Sequence, residues 1–241
     1  MRALSALDMV RIWEIGLEQH PIERALTILT VAFPEASWNE LLSLSIGQRN
    51  TRLLAVHEQT FGTQFVGFAT CVACQEQLEF AFDAKNSASS SEVNTAQQMD
   101  ADGYHLQFRL PNSTDLAAIA GQQDVVIARN LLVQRCVLQA HQGSTEVAVE
   151  TLPETAISAL TARMAESDLQ AEIQLDLTCP ACAHHWQLIF DVVSFFWMEI
   201  SAQAKRLLRE VHTLAHAYGW READILSLST ARRQFYLEMV T

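Results

Sequence analysis

Cys71-Val72-Ala73-Cys74 and Cys179-Pro180-Ala181-Cys182 supply four thiols in two short pairs, the donor set of a closed tetrahedral zinc site. A Cys-x-x-Cys turn lets both sulfurs reach one ion at about 2.3 Å, and two such turns fill the tetrahedron, leaving no position for water or substrate. The chemistry expected is structural: a Zn2+ cofactor held by Cys71, Cys74, Cys179 and Cys182. The segment from Gln75 to Thr178 is far longer than the roughly 15–20 residues of a compact two-pair module, so an insertion must interrupt the ribbon. Knuckles of this type favour Gly after the second cysteine, where φ is positive. Here Gln75 and Ala183 stand in those places, which costs about 1 kcal/mol or more if the turn is kept.

Two disulfides, a redox-active pair or coincidence are the alternatives for the same cysteines. A redox motif belongs near a βαβ pattern, and neither flank reads that way. Met1 to Ile15 contains Arg2, Asp8, Arg11 and Glu14 with no unbroken apolar core, so it does not read as a secretory leader, which weighs against disulfides. Cys136 lies in the apolar run Leu131-Leu132-Val133-Gln134-Arg135-Cys136-Val137-Leu138 and reads as a core residue. His184 and His185 follow the second pair and offer a nitrogen in place of a thiolate. His212 and His216 are one helical turn apart and could share a metal, but no Glu follows His212 as a zinc hydrolase helix requires. A solvated or partner-facing pair is the simpler reading. The chain has 8 Gly, none grouped as a phosphate loop, and no serine elbow. No catalytic residue is assigned, and an enzyme is not expected.

The elements that must position these thiols are short strands. Leu78, Phe80 and Phe82 alternate with Gln77, Glu79 and Ala81 after the first pair; Ile173, Leu175 and Leu177 alternate with Glu172, Gln174 and Asp176 before the second, and Trp186, Leu188 and Phe190 come after it. Phe65 to Ala69 completes the set. The expectation is two hairpins whose tips each carry a cysteine pair. The fold class is α+β, mainly α: a small antiparallel zinc-ribbon-like sheet interrupted by a helical insertion and flanked by N- and C-terminal helices.

Residues 1–63 read as a helical region. Val10, Trp13 and Leu17 have helical spacing, Pro21 opens a second helix that ends at Pro34, and Ser37 caps a short third one. Leu53, Leu54 and His57 lie on a fourth that stops near Gly62. Residues 64–83 form the first half of the sheet. Ala84 to Gln98, rich in serine, lacks periodicity, and 84–103 reads as a flexible loop and a candidate for proteolytic nicking. Residues 104–169 read as a strand, Tyr104 to Leu110, plus a helical insertion: Ser113 or Thr114 caps one helix, Asp124 another through Val137, and a third follows Pro153. Residues 170–191 form the second half of the sheet. Residues 192–241 hold a long helix with an apolar stripe from Val193 through Phe196, Ile200, Ala204, Leu207, Val211 and Leu214 to Tyr218, stopped by Gly219, then two short helices.

At 241 residues and 49% hydrophobic, the chain can bury a sizeable core. No stretch approaches the roughly 18–20 apolar residues of a membrane span. With 16 Lys+Arg against 28 Asp+Glu the net charge is −12, which repels phosphate backbones and disfavours nucleic acid. The compact basic clusters are Lys205-Arg206 with Arg209, and Arg232-Arg233.

The run Phe195-Phe196-Trp197-x-Glu199, then Leu207-Leu208-Arg209-Glu210-Val211-His212, Tyr218-Gly219-Trp220-x-Glu222-x-Asp224-Ile225-Leu226 and Arg232-Arg233-x-x-Tyr236-Leu237, resembles a family of contractile phage tails and phage-tail-like injection systems. That family is described as a baseplate protein or baseplate hub assembly chaperone. Arg49-Asn50-x-Arg52-Leu53-Leu54, Leu78-Glu79-Phe80 and Phe108-Arg109-Leu110-Pro111 with Asp115-Leu116-Ala117 fit the same resemblance, whose C-terminal part is the more specific. It implies a non-enzymatic role in building the baseplate beside tube, hub, spike or wedge proteins, in the bacterial cytoplasm during assembly or within the finished particle. Trp220, Arg232, Arg233 and Tyr236 are the candidate partner-binding residues. A zinc-ribbon nucleic-acid adaptor and a zinc-dependent hydrolase are the alternatives.

Overall fold

The computed structural model describes residues 1–83 and 96–240. In chain order its elements begin with α1 (Ala6–Gly16), α2 (Pro21–Ala32), α3 (Trp38–Ser43), α4 (Ile46–Phe61), β1 (Gln64–Thr70) and β2 (Gln77–Asp83). There follow β3 (Gln97–Ala101), β4 (Tyr104–Phe108), α5 (Ser113–Ile119), α6 (Val125–Cys136), β5 (Val137–Gln142), β6 (Thr145–Glu146) and α7 (Glu154–Ser167). The chain ends with β7 (Ile173–Thr178), β8 (His185–Phe190), α8 (Val192–Tyr218), α9 (Glu222–Ser227) and α10 (Thr230–Glu238). Two compact units emerge: Met1–Ala36, Leu53–Thr63 and Asp191–Thr241 form the first, Ser37–Arg52 and Gln64–Phe190 the second. The helical region expected over 1–63 is shared between them.

The first unit is organised on α8. Asp191 caps it by accepting from the Val193 and Ser194 amides, and Gly219 at φ 68° ends it in the left-handed conformation. Its stripe is buried as the spacing predicts, from Val193 through Phe196, Ile200, Ala204, Leu207 and Val211 to Leu214, and α1, α2, α9 and α10 pack against it. Ser5 and Asp8 form a capping box on α1, and His20 with Glu23 forms one on α2 ahead of Pro21. The buried face of α1 is Met9, Val10, Ile12 and Gly16; Leu17, expected in the stripe, is an exposed residue at its end.

Within this unit two pairings stand out that composition alone does not mark. His57 is fully buried, its Nε2 hydrogen-bonded to Glu199, with the Phe196 ring edge-on at 5.3 Å. Glu210 bridges Arg206 at 3.0 Å and the buried Arg233 at 2.8 Å, and Arg233 also donates to the Leu228 carbonyl. That buried pair ties α10 to α8.

Among the described residues the second unit contains three small antiparallel sheets, β1-β2, β3-β4-β5-β6 and β7-β8. The four-stranded sheet corrects the reading of 104–169 as one strand plus helices. Its buried partners include Leu106, Phe108, Val133, Cys136, Ala140, Leu160 and Met164. The switch from α6 to β5 falls between Cys136 and Val137 inside one apolar run, with no Gly or Pro to announce it. β3 likewise replaces part of the loop expected over 84–103, while residues 84–95 lie outside the described ones. Met99 is its one large apolar residue, so the strand is fixed by main-chain pairing with β4 across the Asp102-Gly103 turn. Both turn residues have positive φ, 50° and 79°, as a tight hairpin requires. The cap of α5 is Asn112, one residue earlier than expected, with Asp115 completing the box.

Residues 37–52 belong to this unit through a buried polar cluster. Asp168 accepts from the Gly47 amide at 2.9 Å and the Ser45 hydroxyl at 3.0 Å, and Asn50 donates to the Gln170 carbonyl at 2.9 Å. A Cβ on Gly47 would sit 2.0 Å from the Asp168 carboxylate, so only glycine allows this approach. Burial pushes the Asp168 carboxyl above its ordinary pKa.

Candidate metal centre

The hairpins β1-β2 and β7-β8 run in unbroken register from Gln64↔Asp83 to Thr70↔Gln77 and from Ile173↔Phe190 to Thr178↔His185. At their bases Phe65, Phe82 and Phe190 form one aromatic cluster, with centroid separations of 4.9, 5.6 and 4.6 Å. The tips are the cysteine turns, and they are built alike. The Cys71 amide donates to the Glu76 carbonyl at 2.8 Å, and the Gln75 amide to the Cys71 carbonyl at 2.9 Å. The Cys179 amide donates to the His184 carbonyl and the Ala183 amide to the Cys179 carbonyl, both at 2.9 Å. Gln75 at φ 62° and Ala183 at φ 58° adopt the left-handed conformation that glycine usually supplies. The chain thus keeps the knuckle turn and carries its strain at two non-glycine positions.

All four sulfurs lie within 4.8 Å of one another. The pairs Cys71–Cys182 and Cys74–Cys179 are 3.7 and 3.6 Å apart, and both run between hairpins. A regular tetrahedron with metal–sulfur bonds of about 2.3 Å has edges of about 3.8 Å, so these cross-hairpin distances are already those of a four-thiolate site. Cys71 and Cys179 are buried and Cys74 and Cys182 exposed. Leu78 packs with the two buried cysteines, and Ala69 and Trp186 close the small apolar cluster.

The electrostatics of the thiols favour a cation. Burial pushes the Cys71 thiol up, but the Cys74 and Ala73 amides and the neighbouring thiols outweigh it and bring it down to about 7. The Glu76 amide favours a Cys74 thiolate, yet Cys182, burial and the other thiols prevail and push it up to about 12. One sulfur ionises readily, and Cys74 and Cys182 then resist. A divalent cation resolves that conflict by letting all four carry charge together. The surroundings are acidic: residues 64–83 contain Glu76, Glu79 and Asp83, residues 172–190 contain Glu172 and Asp176, and neither stretch has a Lys or Arg.

Other candidate ligands lie elsewhere in their units. His184 stacks on Trp186, and the ring of His185 shares a 2.8 Å hydrogen bond with the Thr178 hydroxyl. Among the described residues the four cysteines alone form a metal-competent group. His212 and His216 are exposed and parallel, their centroids 6.4 Å apart, without a third ligand in such a group. Cys136 is buried in the four-stranded sheet's core, its thiol pushed up to about 12 by burial and by Asp115.

Of the candidate partner-facing residues, Arg232 is exposed, while Trp220 and Tyr236 are half-buried against each other with centroids 4.8 Å apart. Arg233 is 2% exposed and committed to Glu210, so it is not a surface cation in this structure. The positive φ at Gln75 and Ala183 is the strain expected if the knuckle turn is kept, whereas the buried pairs His57–Glu199 and Glu210–Arg233 were not legible beforehand. The spacing of Arg233 from Glu210 gives no pattern, because the two sit on different helices.

A family model described as T4 bacteriophage base plate protein matches residues 25–197. The match takes in both cysteine hairpins and ends near the start of α8, before most of the C-terminal run that carries the resemblance read from sequence. Comparison with curated proteins and with solved structures finds no match.

Proposed function

The chain belongs to the T4 bacteriophage base plate protein family, and on that premise we propose that it is a non-enzymatic structural or assembly component, chaperone-like in action, of the baseplate of a contractile phage tail or tail-like injection system. Cys71, Cys74, Cys179 and Cys182 would hold one Zn2+ that locks the two hairpin tips into a ribbon. The observation that carries the metal reading is the pair of cross-hairpin sulfur separations, 3.6 and 3.7 Å, in a set of four thiols and no other donor. When bound, the ion supplies cross-linking and charge neutralisation, since four thiolates fill its coordination sphere. The protein's own contribution is to present the sulfurs on two rigid turns and to exclude water from Cys71 and Cys179.

Partners are other baseplate, hub, spike or tube proteins, met in the bacterial cytoplasm during assembly or within the particle. The basic-residue-free ribbon weighs against nucleic acid, and the closed donor set against a hydrolase. The test has two arms. Elemental analysis and X-ray absorption on reduced protein should give one zinc per chain with four sulfur neighbours. Co-expression with the tail proteins encoded beside it should give a stable complex with at least one of them. Copurification with none would remove the baseplate role, and a metal with nitrogen or oxygen neighbours would remove the structural assignment.

A further inference from the structure

α8 presents a second face, opposite its buried stripe. Met198, Ala202, Lys205, Arg209, His212 and His216 are all exposed. At about 100° per residue these six fall within about 80° of one another, on the side away from the apolar residues. Their steps alternate four and three, the spacing of a coiled-coil seam, so they follow a nearly straight line along the helix. From Lys205 to His216 that line is about 16 Å long. No carboxylate shares it. The acidic residues of α8 are Glu199 and Glu210, engaged by His57 and by Arg206 with Arg233. Among the described residues Lys205 and Arg209 have no ion-pair partner, and the rings of His212 and His216 meet each other. Like charges one turn apart weaken a helix. The helix dipole favours cations in the last turn alone, which here contains His216. The fold of the chain therefore gains nothing electrostatically from aligning Lys205 with Arg209.

We infer that this face of α8 is the docking seam for a protein partner that lays an acidic helix alongside it. The partner's carboxylates, repeating in the same four-three steps, meet the Lys205 and Arg209 cations and accept from the N–H groups of His212 and His216. Small or apolar residues of the partner cover Ala202 and Met198, the latter 61% exposed. Charge complementarity selects this occupant. A second copy docking face to face would set cations on cations. Two permanent cations in a chain of net charge −12 are too few to hold a phosphate backbone. The inference rests on the baseplate reading only in taking that partner to be another protein of the particle.

The probe is an alanine-based helical peptide of about 20 residues, long enough to hold a helix in water, with four glutamates in four-three-four steps. It is titrated into the full chain as purified and followed by amide chemical shifts. One control peptide carries lysines at the same positions, and a second spreads the four glutamates around the helix. The seam peptide should shift residues 202–216, more weakly as salt rises, and neither control should match it. Lys205→Glu and, separately, Arg209→Glu should each weaken binding about tenfold with metal content unchanged, and the double variant should instead bind the lysine peptide. Absence of seam-peptide binding, equal binding of either control, or indifference to both substitutions overturns the proposal. So does self-association that Lys205→Glu abolishes, which would make a second copy the occupant, or displacement of the peptide by an oligonucleotide. A tail-protein complex that survives the double substitution sinks this inference alone, whereas a wild-type chain that joins no tail protein sinks the baseplate reading.

Discussion

Replacing Cys179 by Ser should open the ribbon at its tips and leave its base closed. The tip without metal has little of its own: the buried set there is Cys71, Leu78 and Cys179, with Ala69 and Trp186 beside them. Full burial of one leucine contributes about 2 kcal/mol, whereas a structural zinc contributes on the order of 10 kcal/mol in small domains at neutral pH. The base is different, because Phe65, Phe82 and Phe190 stack and abut one another independently of the sulfurs. Zinc should fall from one equivalent to none. Amide exchange should accelerate about a hundredfold or more across 70–77 and 178–185, corresponding to local opening cheaper by about 2.7 kcal/mol or more. Residues near Phe65 and Phe190 should keep their protection. Cys136→Ser is the control and should retain the metal, since its thiol lies in a separate core. A Cys179→Ser protein that still carried a full equivalent of zinc with unaltered exchange would refute the reasoning.

Three further outcomes are expected. Glu210→Ala leaves the Arg233 guanidinium, 3% exposed, without its counter-charge and should cost about 3–5 kcal/mol, while Arg206→Ala, whose side chain is 55% exposed, should cost under about 1 kcal/mol; equal losses in thermal unfolding would contradict the asymmetry. Burial pushes the Asp115 carboxyl up, but Arg109, the Asn112 amide and Arg135 outweigh it and hold it below its ordinary 3.8. The unfolded chain then binds more protons, so stability is gained above pH 3.8 and lost as pH falls through the native value, and Asp115→Asn should flatten acid unfolding in that window. Trp220→Ala removes ring contacts to Tyr218 at 4.7 Å and Tyr236 at 4.8 Å, and should lower stability by about 1–3 kcal/mol with zinc content unchanged.

The parts legible in sequence were those with strong local periodicity or punctuation. The α8 stripe and its Gly219 stop are local signals, and so are the alternating runs around each cysteine pair. The pairing of two turns more than a hundred residues apart was legible only because thiols at Cys-x-x-Cys spacing demand more ligands than one turn provides. What stayed hidden depends on contacts between distant segments. β3 has little hydrophobic pattern and exists because β4 offers it a partner; the Asp102-Gly103 turn was the available signal. β5 was not expected: the preceding helix was read through Val137, the strand's first residue, and the apolar run across that point has no breaker. Arg233 looked like a surface charge until its helix was placed against Glu210, and His57 looked like part of an apolar stripe until Glu199 supplied its partner.

Both units are discontinuous in sequence, which orders events during synthesis. The second unit draws on chain up to Phe190, and the first cannot close before Asp191–Thr241 emerges from the ribosome. Cys71 and Cys74 therefore leave the exit tunnel with half a coordination sphere and wait for Cys179 and Cys182. A nascent chain stalled before position 179 holds at most two of the four sulfur donors, so the proposed metal site could be completed only late in translation.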